Sequence, residues 1–294
     1  MSSESSDRFG VASMSSRLER VAVRKPSAIL RADPAEWHYR KAVDPEVLLG
    51  QFSSFIALLD RSGVEILWFD DEPDDLADSI FAYDPSFMTP HGAIILRPGK
   101  DKRREEVEVH RRFYEALGIP IVGEITGEGT LEGGDCFWLD SSTLAVGRGF
   151  RSNENGIDQM RDILSDVDIN IVQFDLPIQD DPDACLHLMS VVSPLDHDLA
   201  LVYEPLLPDN LQSVLKDFGY DLLFAPVHEF ELSYGLSLNV LAVSERDVIA
   251  IEGFGETRAL MENAGCVVST FPGDELCIPC EGGPTCLTRP ILRQ

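Results

Sequence analysis

Cys136-Phe137-Trp138-Leu139-Asp140-Ser141-Ser142-Thr143-Leu144-Ala145-Val146 opens the stretch whose reading decides the fold. Its two apolar runs, 136–139 and 143–146, flank a short polar turn and read as paired strands. A helix is expected over 155–164, and the β-branched run 170–174 supplies a third strand. Strand, strand, helix, strand is the unit.

The unit recurs along the chain. Strands at 187–192 and 199–203, a helix at 209–218 and a strand at 222–225 repeat it; so do strands at 237–243 and 248–251, a helix at 256–264 and a strand at 266–270. Upstream, strands at 80–83 and 92–96 precede a helix at 103–117 and a strand at 119–122. The first helix, 45–61, opens with Asp44-Pro45, an N-cap followed by proline at the first helical position. One strand, 21–24, lies ahead of it and one, 64–69, behind it. Its missing strand is available from 285–291, so the two chain ends would pair and close a ring of five modules. Helix centres roughly 50 residues apart fit such a repeat. An ordinary doubly wound sheet is the alternative that spacing alone leaves standing. The ring predicts one α/β domain over 21–294 behind a mobile, Ser-rich tail at 1–20. It also brings Asp84, Glu132, His187 and Cys286, from different modules, towards a common axis.

Composition narrows the function. The chain has 294 residues, and its 24 Lys and Arg face 51 Asp and Glu, a formal net charge of −27. Such a surface repels nucleic acid. Only five of the cations are Lys, and acidic, Lys-poor surfaces resemble those of salt-adapted organisms. No run approaches the roughly 18–20 apolar residues of a membrane helix, and the first 20 residues lack the apolar centre of a signal peptide. A cytoplasmic protein with no membrane partner is expected, with a homodimer left open. The six Cys, including Cys185, are then reduced thiols. Cys277 and Cys280 have metal-ligand spacing but no second matched pair, so no metal or cofactor is expected.

Several segments together carry a family likeness: Phe81-Ala82-Tyr83-Asp84, Arg97-Pro98-Gly99, Thr130-Leu131-Glu132-Gly133-Gly134-Asp135, Arg151-Ser152-Asn153, Leu186-His187-Leu188-Met189-Ser190 and Gly282-Gly283-Pro284-Thr285-Cys286. In this order the chain resembles the guanidino-group-modifying enzymes of the pentein, or α/β-propeller, superfamily, and among them the dimethylarginine dimethylaminohydrolases. The resemblance implies a hydrolase acting on a linear amidine, turning N-methylated arginine into citrulline and an amine. Arginine deiminases, dihydrolases and amidinotransferases are the nearest alternatives. A non-catalytic binding protein of the same fold is a more distant one.

The resemblance also implies roles. Cys286 would be the nucleophile, His187 the acid and base, and Glu132 the group that orients the imidazole. A thiol is only about 3% ionised at neutral pH, and a guanidinium held against the sulfur favours the thiolate. Asp84 and Asp78 would hold the planar cation, a task suited to carboxylates that accept paired hydrogen bonds. Arg103 and Arg151 would clamp the substrate's carboxylate. Tyr83 stands where the family has a glutamate. Met189, two residues beyond the histidine, replaces the aspartate typical of arginine deiminases and favours an N-alkylated guanidine.

Overall fold

A computed structural model describes residues 8–70, 75–177 and 186–294. Parallel neighbours in a sheet need a crossover, and here each crossover is a helix. In chain order the strands are β1 (Leu18–Val23), β2 (Glu65–Trp68), β3 (Ser86–Thr89), β4 (Gly92–Ile95), β5 (Ile121–Glu124), β6 (Cys136–Asp140), β7 (Thr143–Arg148), β8 (Asn170–Asp175), β9 (Val192–Pro194), β10 (Leu199–Val202), β11 (Asp221–Phe224), β12 (Leu241–Ser244), β13 (Asp247–Ile251), β14 (Val267–Phe271) and β15 (Arg289–Arg293). They form five three-stranded sheets among the described residues: β15-β1-β2, β3-β4-β5, β6-β7-β8, β9-β10-β11 and β12-β13-β14. In each, one pair is antiparallel and the other parallel.

The expected exchange of ends is present: β15 pairs with β1, joining Ala22 to Arg289 and Leu18 to Arg293. The boundary at residue 20 is corrected, because it falls inside β1. Residues 8–17 are no loose tail either. Gly10 donates to Ile291 O at 2.8 Å, accepts from Arg293 N at 3.0 Å, and Val11 and Ser15 are buried. Residues 1–7 lie outside the described set.

The helix Pro45–Arg61 shows how sequence makes these crossovers. Asp44 accepts from Glu46 N and Val47 N, capping the first turn. Leu48, Phe52, Phe55 and Leu59 recur at helical spacing and are buried, with the Phe55 ring 5.1 Å from that of Phe271 in β14. Truncating Phe55 to Ala would cost about 3–5 kcal/mol. The helices Glu106–Leu117, Glu154–Ser165, Leu211–Asp217 and Gly255–Asn263 match their expected positions within a few residues.

Three expected strand starts are different. Residues 80–83, 187–192 and 237–243 do not begin as strands; the chain enters the sheets through 3₁₀ turns at Ala77–Ile80, Leu188–Ser190 and Leu236–Leu238. Similar turns, Gly133–Asp135 and Ile278–Cys280, precede β6 and β15. Side chains, most of them from distant segments, take backbone donors that a ladder would otherwise use. Asp84 Oδ1 accepts from Gly134 N, Asp135 Oδ1 from Leu188 N and Ser233 Oγ from Ser237 N, all at 2.8–2.9 Å. Likewise 285–287 is a turn, and β15 starts only at Arg289. No helix among the described residues is long and apolar enough to cross a membrane.

Candidate active site

Three of these turns bring a polar side chain to one cavity of about 660 Å³. Asp78 comes from the turn Ala77–Ile80, His187 precedes the turn Leu188–Ser190 and Asn239 follows the turn Leu236–Leu238, while Glu132, just ahead of Gly133–Asp135, is buried behind His187. Cys286 lies just ahead of β15 and lines the same cavity as His187. Cys136, Cys266, Cys277 and Cys280 are buried free thiols, whereas Cys286 is only partly buried. Burial pushes the Cys136 and Cys277 thiols far up, which keeps them protonated and inert. Cys185 lies outside the described residues.

Glu132 is fully buried and grips His187: its Oε2 is 2.7 Å from Nε2. A carboxylate only accepts, so Nε2 carries the hydrogen that it shares with Glu132. The other oxygen of Glu132 accepts from Gly99 N at 2.9 Å, and Arg151 Nη1 stands 3.4 Å from both oxygens. Burial alone would raise the Glu132 carboxyl; the Arg151 guanidinium and His187 overcome it and hold the carboxyl well below the usual range. Gly134 makes the imidazole's place: a Cβ there would lie 2.4 Å from His187 Nδ1.

A second layer fixes the Glu132 and His187 segments to each other. Ser152 Oγ accepts from Glu132 N at 3.1 Å and donates to Asp135 Oδ2 at 2.5 Å, while Asp135 Oδ1 accepts from Leu188 N at 2.8 Å. Asp135 was read from the sequence only as part of a glycine-rich motif.

Asp84 is buried, with Oδ1 on Gly134 N and Oδ2 on Arg103 Nη1 at 2.5 Å. Arg103 also donates to both Glu106 oxygens and to Phe81 O. This corrects the expectation for Arg103: its donors are committed inside the protein, and it braces Asp84 instead of standing ready for a carboxylate. Asp78, expected to share the planar cation with Asp84, is buried and already partnered: Tyr39 Oη donates to it at 2.8 Å and Lys100 Nζ at 2.6 Å. Arg151 lines the cavity beside Glu132, so it serves as that residue's counter-charge.

Asn239 escaped the sequence reading. Its Oδ1 accepts from Thr285 N at 3.0 Å, and its Nδ2 donates to Cys286 Sγ at 3.1 Å. Gly283 lets the amide approach, since a Cβ there would fall 2.5 Å from Asn239 Cγ and Oδ1. Among titratable ligand types, Asp84, Glu132 and His187 each offer an atom within 4.8 Å of the others. Their mutual and backbone hydrogen bonds account for that convergence.

The sequence profile of the arginine deiminase family matches residues 70–221, just over half of the chain. The chain belongs to the arginine deiminase family. Within that family and the wider pentein superfamily it is dimethylarginine dimethylaminohydrolase-like. It is 31% identical over 188 residues to the dimethylarginine dimethylaminohydrolase of Streptomyces coelicolor, covering 64% of this chain and 69% of the relative. To the Pseudomonas aeruginosa enzyme of the same name it is 28% identical over 243 residues, 82% of this chain and 87% of that one. Folds agree as well. A solved dimethylarginine dimethylaminohydrolase superposes with a TM-score of 0.76 at 24% identity, covering 94% of this chain and all of the other. An amidinotransferase from Microseira wollei superposes at 0.80 with 18% identity, covering 97% of each.

Two further residues line this arginine deiminase family member's cavity. Met189 is buried in its wall, an uncharged side chain beside the His187 turn. Tyr83 is buried too; its backbone N–H donates to Cys286 O at 3.2 Å, and its ring lies 3.9 Å from the Arg289 guanidinium carbon.

Proposed function

We propose that this protein is a cysteine hydrolase that converts an N-methylated arginine to citrulline and an amine. One observation carries the reading: a histidine oriented by a buried glutamate at 2.7 Å shares a cavity with a partly exposed, amide-bonded cysteine. The guanidinium's charge, next to Asp84, would favour the Cys286 thiolate. As the thiolate forms, His187 takes the thiol proton; the sulfur adds to the central carbon, the imidazolium passes that proton to the leaving nitrogen, and the bond between the carbon and the amine breaks. A covalent thiouronium remains on the sulfur. His187 then takes a proton from water, which adds to the same carbon; the C–S bond breaks, and the ureido product leaves with the thiol restored. Substrate and one water become citrulline and one amine.

Methylation of the substrate is supported by Met189 and by the names of the two relatives. An apolar wall suits N-methyl groups and leaves no buried carboxylate unpaired when they are present. The family profile favours a second reading, hydrolysis of unmethylated arginine, by the same steps with ammonia as the leaving group. Amidino transfer would need an amine in place of water. We also infer that the five sheets close into a propeller, on the support of the β1–β15 pairing.

A colorimetric assay for ureido product across methylated and unmethylated guanidines tests the reading. Product from dimethylarginine in preference to arginine is expected. A folded protein that yields no ureido product from any guanidine would overturn it.

A further inference from the structure

A second cavity, of about 20 Å³, shares the wall residues Tyr83, Met189 and Thr285 with the catalytic one. Its lining includes Trp138, Arg289 and Arg293, which are 1%, 2% and 8% exposed. Nε and Nη2 of Arg289 and Nε1 of Trp138 are buried and have no hydrogen-bond partner among the described residues. The Arg289 guanidinium carbon sits 3.9 Å from the Tyr83 ring centre and 5.8 Å from that of Phe87, whose ring is 5.7 Å from Trp138. Arg293 donates to Ser16 O at 2.6 Å and Ala242 O at 2.8 Å, which satisfies hydrogens but not charge. Among the described residues no carboxylate lies in ion-pair range of either arginine.

We propose that this cavity binds one small monovalent anion, a halide such as chloride. Its volume suits a single atom-sized occupant. Indole and guanidinium nitrogens only donate, so the occupant must accept from several directions. A water could accept, yet it brings two hydrogens of its own and no charge, leaving two buried cations uncompensated. Tyr83 does not supply the missing negative charge. Burial raises its hydroxyl, against the pull of Arg289 and Arg293, and keeps the ring neutral. Burial also draws Arg293 down to about 10, opposed by Tyr83 and aided by Arg289, the strain that a nearby anion relieves. An occupied site would brace the wall that carries Tyr83, Met189 and Thr285 against the catalytic cavity.

Crystals grown in bromide test the site without reference to catalysis. An anomalous peak between Trp138 Nε1 and the Arg289 guanidinium is expected; an ordered water with no anomalous signal there would overturn it. In solution, chloride and bromide should raise Tm beyond gluconate at matched ionic strength, rising with the logarithm of halide concentration. Trp138→Phe removes one donor and keeps both charges, and should shrink that halide-specific difference; Arg289→Met should abolish it. Should Arg289→Met not fold, the difference in wild type and in Trp138→Phe still decides. Equal Tm in chloride and gluconate would also sink the proposal.

Discussion

The Asn239 side-chain amide joins Cys286 to its own turn: Nδ2 donates to Cys286 Sγ across 3.1 Å while Oδ1 accepts from Thr285 N. A donor aimed at sulfur stabilises the thiolate more than the thiol, and hydrogen bonds to charged groups contribute about 1.5–3 kcal/mol. Asn239→Ala should therefore slow iodoacetamide alkylation of Cys286 at neutral pH by about tenfold or more. The other described cysteines are buried, and the alkylation is read on the peptide that holds Cys286. An unchanged alkylation rate would show that the amide does not support the thiolate.

Met189 sets the expected choice of substrate. Met189→Asp places a carboxylate in the wall, which pairs with an unsubstituted guanidinium and is left unpaired beside methyl groups. The ratio of kcat/KM for dimethylarginine over arginine should fall by about tenfold or more, the range that pocket contacts of this kind deliver. A ratio that stays constant removes Met189 from specificity and leaves the reaction class standing.

Asp135 predicts a pH effect with a definite sign. Burial pushes its carboxyl up to about 6 from an ordinary 3.8, with His187 and the Ser152 and Leu188 hydrogen bonds pulling it only part of the way back. The native state therefore holds this proton more tightly than the unfolded chain. Through this group the native state loses stability as pH rises from about 4 to about 6, and the loss is complete above that. Asp135→Asn cannot ionise. Urea midpoints at both ends of this window should show the variant gaining on wild type as pH rises; a constant gap would contradict the assignment.

How far the sequence reveals this site depends on what each residue's neighbours are. The helix Pro45–Arg61 is legible because Asp44-Pro45 and four apolar residues at helical spacing all point the same way. The five-fold pairing is legible because each unit repeats its rhythm. The turns at Leu188–Ser190 and Leu236–Leu238 are not, since a short apolar run looks alike in a strand and in a 3₁₀ turn. What decides is a carboxylate or hydroxyl from elsewhere, such as Asp135 on Leu188 N. Asn239 is hidden for the same reason: an amide within an apolar run gains meaning only when Cys286 arrives 47 residues later. Arg103 misleads in the opposite direction, because its commitment to Asp84 and Glu106 exists only in the fold.

The charge balance predicts a response to salt in general. A net charge of −27 repels itself most when screening is weak. The screening length falls from about 10 Å at 0.1 M to about 3 Å at 1 M. Thermal denaturation in sodium gluconate should show Tm rising over that range, since exposed ion pairs such as Arg148 with Glu154 contribute little that salt can remove. A flat or falling Tm would mean that self-repulsion does not limit stability.

Mass spectrometry of rapidly quenched protein with dimethylarginine tests the assignment of the nucleophile most directly. A mass increase equal to the substrate minus its amine, confined to the peptide holding Cys286 and absent in Cys286→Ser, is the predicted result. Turnover that persists in the serine variant, or an adduct carried by another residue, would contradict it.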